Sequence, residues 1–319
     1  MKPSSNVSAK KKGRRFRRDA EKPFLMMKIA IYGRQFNDTA VLPYIKQVFE
    51  SLASHGADIY VHRQLDQYLK DNIGPVSYKV LSSGQNIKGL IDLFLTLGGD
   101  GTLLDMVTLV RDSGIPIIGI NFGRLGFLAS INKNDIASAI HAVVNKQFTL
   151  DSRELLSITS DAEIFGDDNF ALNDITIHKR DDSAMITAHV SLNGEFLNSY
   201  WGDGIVISTA TGSTAYSLSC GGPIIYPESD TMVLTPVAPH NLNVRPIVLP
   251  GNSVLAFDVE CRGGNYIVSC DSRTAAVDKI IRFRVKKAGF KLNLIRLNNE
   301  SYLTTLRNKL LWGLDARNY

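Results

Sequence analysis

The ten residues Leu93-Phe94-Leu95-Thr96-Leu97-Gly98-Gly99-Asp100-Gly101-Thr102 restrict the fold of this chain more than any other stretch. A short apolar run reads as a buried strand, and it stops at two glycines, an aspartate and a third glycine. The apolar spacing of Leu103-Leu104-Asp105-Met106-Val107-Thr108-Leu109-Val110 then suits a helix stopped by Gly114. Strand, glycine-rich turn and helix in that order put backbone N–H groups and the positive end of a helix dipole at the carboxyl edge of a sheet, where an anion can sit. Asp100 is the odd member of such a turn, because a carboxylate repels phosphate. It fits if it grips a metal ion, accepts a hydroxyl proton or orients a sugar hydroxyl; the plainer reading is an Asp-Gly turn between two elements. Neither G-x-G-x-x-G nor G-x-x-x-x-G-K-[ST] is matched, so the usual dinucleotide and P-loop fingerprints do not account for it.

The flanks extend the pattern. Strands are expected at Lys28–Gly33, Asp58–Val61, Tyr78–Leu81 and Ile115–Ile120, with a helix capped at Asn37-Asp38-Thr39 and running through Pro43 to about Ser54, and others from Gln64 to Leu69 and from Asp135 to Asn145. Alternation of this kind predicts an open, largely parallel α/β sheet over residues 27–147, with ligands above the carboxyl ends of its strands. The texture changes near Phe148. Over residues 148–285 helical periodicity vanishes and short strands are separated by turn chemistry, above all Asn193-Gly194, with Pro250-Gly251 and Gly263-Gly264. This half reads as an all-β, sandwich-like domain. The stretch Tyr302–Trp312 returns to helix, ended by Gly313, and is expected to pack back on the first domain, which residues 286–319 complete.

Charge is unevenly placed. Hydrophobic content of 44% and charged content of 21% describe an ordinary globular protein, and the net charge is +5. Residues Met1 to Lys22 hold nine Lys and Arg against Asp19 and Glu21, so the rest of the chain is slightly acidic. Residues 1–26 are read as a basic, disordered tail, either a solvated extension or a contact for nucleic acid or a membrane surface; the solvated reading is preferred, and neither nucleic acid nor membrane is the expected partner. No run of 18 apolar residues exists. Three cysteines without C-x-x-C spacing (Cys220, Cys261, Cys270) point to reduced thiols, a cytoplasmic setting and no structural zinc.

Three further stretches depart from core-and-turn grammar. In Asn121-Phe122-Gly123-Arg124-Leu125-Gly126-Phe127-Leu128 two glycines flank an arginine, which could meet phosphate or mark a hinge. In Ala171-Leu172-Asn173-Asp174-Ile175-Thr176-Ile177-His178 a polar pair interrupts a strand, as a bulge or as a device for ribose hydroxyls or a base edge. From Gly202 to Ile225 a strand enters a run of Ser, Thr, Gly and Ala that cannot build a core but leaves backbone open to a flat ligand; Tyr216 offers a stacking face. A serine nucleophile finds no G-x-S-x-G elbow, and the histidines are too scattered for a metal site.

Together these stretches resemble the ATP–NAD kinase family. The resemblance is carried, in order, by Gly98-Gly99-Asp100-Gly101-Thr102, Asn173-Asp174, Gly202-Asp203-Gly204, Thr211-Gly212-Ser213-Thr214-Ala215-Tyr216-Ser217-Leu218-Ser219, Gly221-Gly222-Pro223-Ile224 and Pro239-His240, and it covers Lys28 to Trp312. The glycine-aspartate turn alone is shared with diacylglycerol-type lipid kinases and phosphofructokinases. The resemblance implies transfer of the γ-phosphate of ATP to the 2′-hydroxyl of the adenosine ribose of NAD, giving NADP, with Asp100 as proton acceptor and Gly101 beside it. It further implies that NAD is bound by Asn173, Asp174, Asp203 and Thr214, Ala215, Tyr216, Ser217, Leu218 and Ser219, with Trp201, Ala184 and Ala238 as additional contacts. Mg²⁺ or another divalent cation would arrive with ATP, and no protein metal site is expected. A homotetramer or homodimer is implied, one NAD pocket taking residues from neighbouring subunits. Arg273 stands where a glutamine is common and could favour a phosphorylated product or inhibitor.

Overall fold

Five strands lie parallel in the order β5-β4-β1-β2-β3: β1 (Lys28–Gly33), β2 (Asp58–His62), β3 (Lys79–Leu81), β4 (Leu93–Leu97) and β5 (Ile117–Asn121). The computed structural model describes residues 26–82, 84–180, 184–262, 265–278, 281–298 and 301–311. The expectations for tail residues 1–25, the Gly263-Gly264 turn and the helix end at Trp312-Gly313 lie outside the described residues. Strands β4 and β5 are buried along their whole length, as unbroken apolar runs require of strands covered on both faces. Between the strands run α1 (Leu42–Ser54), α2 (Arg63–Asn72) and α3 (Asp100–Val110); β6 (Ile131–Asn132), parallel to β5, and α4 (Ile136–Val144) follow. One face of the sheet packs on Val48, Phe49 and Leu52 of α1, Leu65 and Leu69 of α2, and Ile136, Ile140 and Val143 of α4. The other packs on Leu103, Met106, Val107 and Val110 of α3. Because β1 leads to β2 on one side while β4 lies on its other side, the strand order reverses between β1 and β4. The crevice above their carboxyl ends is where open α/β sheets take ligands.

Beyond the first half the chain is almost entirely strand: β7 (Phe148–Ser160), β8 (Phe170–Ala171), β9 (Asp174–Lys179), β10 (Ile186–Leu192), β11 (Glu195–Gly202), β12 (Gly204–Thr209), β13 (Thr231–Val237), β14 (Ile247–Pro250), β15 (Leu255–Cys261), β16 (Tyr266–Cys270), β17 (Arg273–Val277) and β18 (Arg282–Leu297). A six-stranded antiparallel sheet, β14-β13-β12-β9-β16-β17, packs through Ile175, Ile177, Ile205 and Ile207 on Ala188, Val190, Phe257 and Phe283 of the facing sheet, which gives the sandwich. That facing sheet is continuous with the parallel one. Strand β18 pairs antiparallel with β7 and β15, and its Leu294 lies parallel to Ile117 of β5, so one twelve-stranded sheet crosses both halves. The β10–β11 hairpin turns at Asn193 and Gly194, whose φ of 52° and 90° suit the tight turn that Asn-Gly announces.

Among the one-turn helices that were not expected are a 3₁₀ turn at Thr211–Thr214 and α5 (Tyr216–Ser219). Such turns are too short to show apolar periodicity; hydroxyls hold them, with Ser213 Oγ donating to Ala210 O (2.7 Å) and Gly212 N–H donating to Thr209 Oγ1 (3.0 Å). The last helix, α6 (Tyr302–Leu310), buries Leu306 and returns to the first half: Tyr302 meets the Phe127 ring at 6.5 Å, and Lys309 Nζ lies 5.7 Å from that ring's centre. No described helix is long and apolar enough to cross a membrane.

Candidate active site

Asp100 is the first residue of α3, and its carboxylate turns to the loop that follows β5. Oδ2 accepts the Phe127 N–H (2.8 Å), and Oδ1 accepts those of Leu128 (3.0 Å) and Ala129 (2.9 Å). A Cβ on Gly126 would overlap Oδ1, so only glycine lets the loop close this far. Asn121 shapes the same loop, accepting from Gly123 N–H (2.9 Å) and donating to Arg124 O (2.7 Å), while the Arg124 side chain stays exposed. An ionised carboxylate offers about four acceptor positions. Three are filled here, and the one left on Oδ2 belongs to a half-buried group. Among the described residues no group of three or more His, Cys, Asp or Glu is arranged to hold a metal ion.

The second group gathers where β8 passes into β9. Asp174, 6% exposed, accepts the Tyr216 N–H. Its carboxyl is pushed up to about 7, chiefly by burial and then by the neighbouring Asp271, against the pull of that N–H. Asn173 is fixed through its carbonyl, which accepts from Thr209 N–H (2.9 Å), and Gly212 sits so close to that carbonyl that a Cβ would overlap it. The buried Ser217 shares a hydrogen bond with Thr235 (2.8 Å), which leaves Tyr216 and Ser219 on the exposed side and Thr214, Ala215 and Leu218 half-buried. Burial raises the Tyr216 phenol, and Cys220, Asp174 and Asp203 add to the effect, so these side chains lie within electrostatic reach of one another. The Asp203 carboxylate is 3.4 Å from Lys179 Nζ.

Trp201 and Ala238 lie at adjoining strand ends. The exposed Trp201 ring lies 4.2 Å from that of His240, whose N–H donates to Trp201 O (2.8 Å). Ala238, at φ 42°, borders Gly202; Ala184 is exposed two residues before Ile186, the cross-strand partner of Gly202. The Tyr302 ring lies near those of Phe127, in the loop that caps Asp100, and Tyr226 (5.2 Å), in the β-rich half. The buried Arg153 forks onto Asp151 (2.8 and 2.6 Å) and donates to Thr211 Oγ1 (3.1 Å).

Sequence reasoning missed Arg153 and Asp271. Arg153 belongs to no motif, and Asp271 stands in Cys270-Asp271-Ser272-Arg273, a stretch singled out only for its arginine; the signal available was a charged residue inside a strand for one and a polar turn between two strands for the other. Arg273 is spent on the chain itself, donating to Asp168 O and Phe170 O with its guanidinium over the Phe170 ring.

Two family models match the chain: that of the ATP-NAD kinase N-terminal domain over residues 29–148, and that of the ATP-NAD kinase C-terminal domain over residues 172–297. The NAD kinase of Flavobacterium psychrophilum is 46% identical over 295 residues, which covers 92% of this chain and 100% of that one. The NAD kinase of Cytophaga hutchinsonii is 43% identical over 293 residues, with the same two coverages. Among solved structures, yeast NADH kinase complexed with NADH is similar at a TM-score of 0.78 and 22% identity, over 91% of this chain and 89% of that one. An NAD kinase from Archaeoglobus fulgidus in complex with ATP gives 0.65 and 23%, over 89% and 99%. At these identities the two structures speak for the fold.

Proposed function

The chain belongs to the ATP–NAD kinase family and phosphorylates NAD with ATP, and we propose that Asp100 accepts the proton of the attacking 2′-hydroxyl of the adenosine ribose. The observation that carries this role is the open acceptor position on Oδ2 of a half-buried carboxylate otherwise fixed by three amides. A hydroxyl donating to that position is held and oriented before reaction. A carboxylate is a far weaker base than a sugar alkoxide, so the proton passes late. The oxygen forms its bond to the γ-phosphorus while the bond from that phosphorus to the β–γ bridging oxygen breaks, and ADP leaves.

The crevice between β1 and β4, beside the Gly98-Gly99 turn and the start of α3, suits the triphosphate through backbone N–H groups and the helix dipole. Mg²⁺ or another divalent cation enters with the triphosphate, as part of the substrate. NAD lies along Asn173, Asp174, Asp203 and residues 214–219, with the exposed Tyr216 ring as a stacking face and Trp201, Ala184 and Ala238 at its margin. Residues 27–147 and 286–319 then serve ATP and residues 148–285 serve NAD, in a cytoplasmic homodimer or homotetramer. Labelled ATP offered with NAD, diacylglycerol or fructose 6-phosphate tests the acceptor: label is expected in NADP, and label in lipid or sugar phosphate alone would refute the reading. Light scattering on the eluted protein reads the assembly, and a monomer at working concentration would refute the proposed state.

A further inference from the structure

Asp271 lies in the turn between β16 and β17 with φ of 52° and a side chain only 2% exposed. Its Oδ2 accepts the Leu172 N–H (2.8 Å), and its Oδ1 accepts those of Asn173 (2.8 Å) and Asp174 (3.3 Å). Its own N–H returns to Asp174 O (2.9 Å). Three successive amides and one carbonyl of the segment that carries the Asn-Asp pair are thus closed onto a single residue about a hundred positions away. Two residues on, Arg273 grips the carbonyls of Asp168 and Phe170, so the same turn holds the chain on the approach to that pair as well. A left-handed backbone outside glycine is uncommon and persists where its surroundings fix it.

We propose that Asp271 is a positioning residue for NAD: it sets the backbone from which Asn173 and Asp174 reach the substrate and touches no substrate itself. The proposal rests on the reading of Asn173 and Asp174 as NAD ligands. Buried amides left without an acceptor are costly, so losing Asp271 lets this segment re-form around other partners and moves both side chains. The ATP side of the site, built on Gly98 to Thr102, has no contact with Asp271 to lose among those described. A positioning role therefore shows as a defect selective for one substrate, which a general structural brace would not give.

The test is steady-state kinetics of the full chain carrying Asp271→Asn, beside Asn173→Ala and wild type. In Asp271→Asn the KM for NAD is expected to rise about tenfold while the KM for ATP stays within about twofold. A second readout is the pH dependence of the KM for NAD. The Asp174 carboxyl is faced by Asp271, Tyr216, Cys220 and the buried Cys270, with Arg273 behind Asp271. Removing the like charge of Asp271 is expected to start the acid-side rise in KM at lower pH than in wild type. If Asp271→Asn does not fold, Asp271→Glu, which keeps the charge and displaces the oxygens by one methylene, is expected to show the same NAD-selective rise. An unchanged KM for NAD in the folded variant, with Asn173→Ala impaired, overturns the proposal, and so do equal rises for both substrates. An unchanged KM for NAD in Asn173→Ala overturns instead the reading on which it rests.

Discussion

Asp100 and Asp271 draw the same figure in two halves of the molecule. Each carboxylate takes one N–H on Oδ2 and two on Oδ1 from three consecutive residues, 127–129 in one case and 172–174 in the other. What separates them is surroundings. Asp100 stands half-buried at the end of a glycine turn, above the carboxyl edge of the parallel sheet. Asp271 is sealed inside the β-rich half beside a second carboxyl, Asp174, and burial raises both. The same hydrogen-bond pattern therefore leaves one group open for the hydroxyl role proposed for it and closes the other onto a piece of chain, as the positioning role proposed for it requires. Exposure of the fourth acceptor position, more than the count of donors, decides which role a capped carboxylate can take.

That contrast can be broken in graded steps. Asp100→Asn should cut kcat by about a thousandfold or more while the KM for NAD changes little; near-normal turnover would remove Asp100 from the chemistry. Gly126→Ala attacks the same carboxylate from outside, because the new methyl overlaps Oδ1. Displacing a reacting group by about 1 Å costs roughly a hundredfold, so kcat should fall by that order, and the melting temperature should fall too because the three amides of residues 127–129 lose part of their acceptor. The tenfold, NAD-selective defect expected of Asp271→Asn comes next and is the sharpest contrast with Asp100→Asn, which should act on kcat.

The smallest effect is one of stability. The Asp174 carboxyl has an ordinary value of 3.8 and is raised to about 7 in the fold. The folded state thus favours its protonated form; this contribution is complete below pH 3.8 and is lost as the pH rises through about 7. Asp174→Asn keeps an acceptor for the Tyr216 N–H without the buried charge. It should raise the melting temperature by on the order of 3–5 °C at pH 8 and by less at pH 5, while impairing NAD binding. Equal gains at the two pH values would show that the buried charge is not the cause.

The amino-acid sequence announced the parts whose cause is local. Leu93 to Leu97 is buried because an unbroken apolar run leaves no face for water, and the helix that follows was legible from Leu103 to Val110, although it starts earlier, at Asp100, with Gly101 inside its first turn. Asn193-Gly194 makes its hairpin by conformational preference alone. What stayed hidden acts through backbone amides or across long separations. No residue type marks Phe127, Leu128 and Ala129 as donors to Asp100, since every residue but proline carries that N–H. The role of Asp271 was illegible for the same reason, its partners being backbone amides about a hundred positions away. The hydroxyl-held turns at Thr211–Thr214 and Tyr216–Ser219 were missed because one turn is shorter than any helical period. The return of the last residues to the first half was foreseen. That a single sixteen-residue strand would serve both halves was not.

That strand, β18, has a mechanical consequence. Its early residues are hydrogen-bonded to β15 and β7, and near its end it lies against β5. Swinging one half against the other like the leaves of a hinge would tear that shared ribbon along its backbone bonds. The ribbon is least regular between Lys287 and Lys291, where its pairing with β7 shifts register, so any give between the halves is confined to that short stretch.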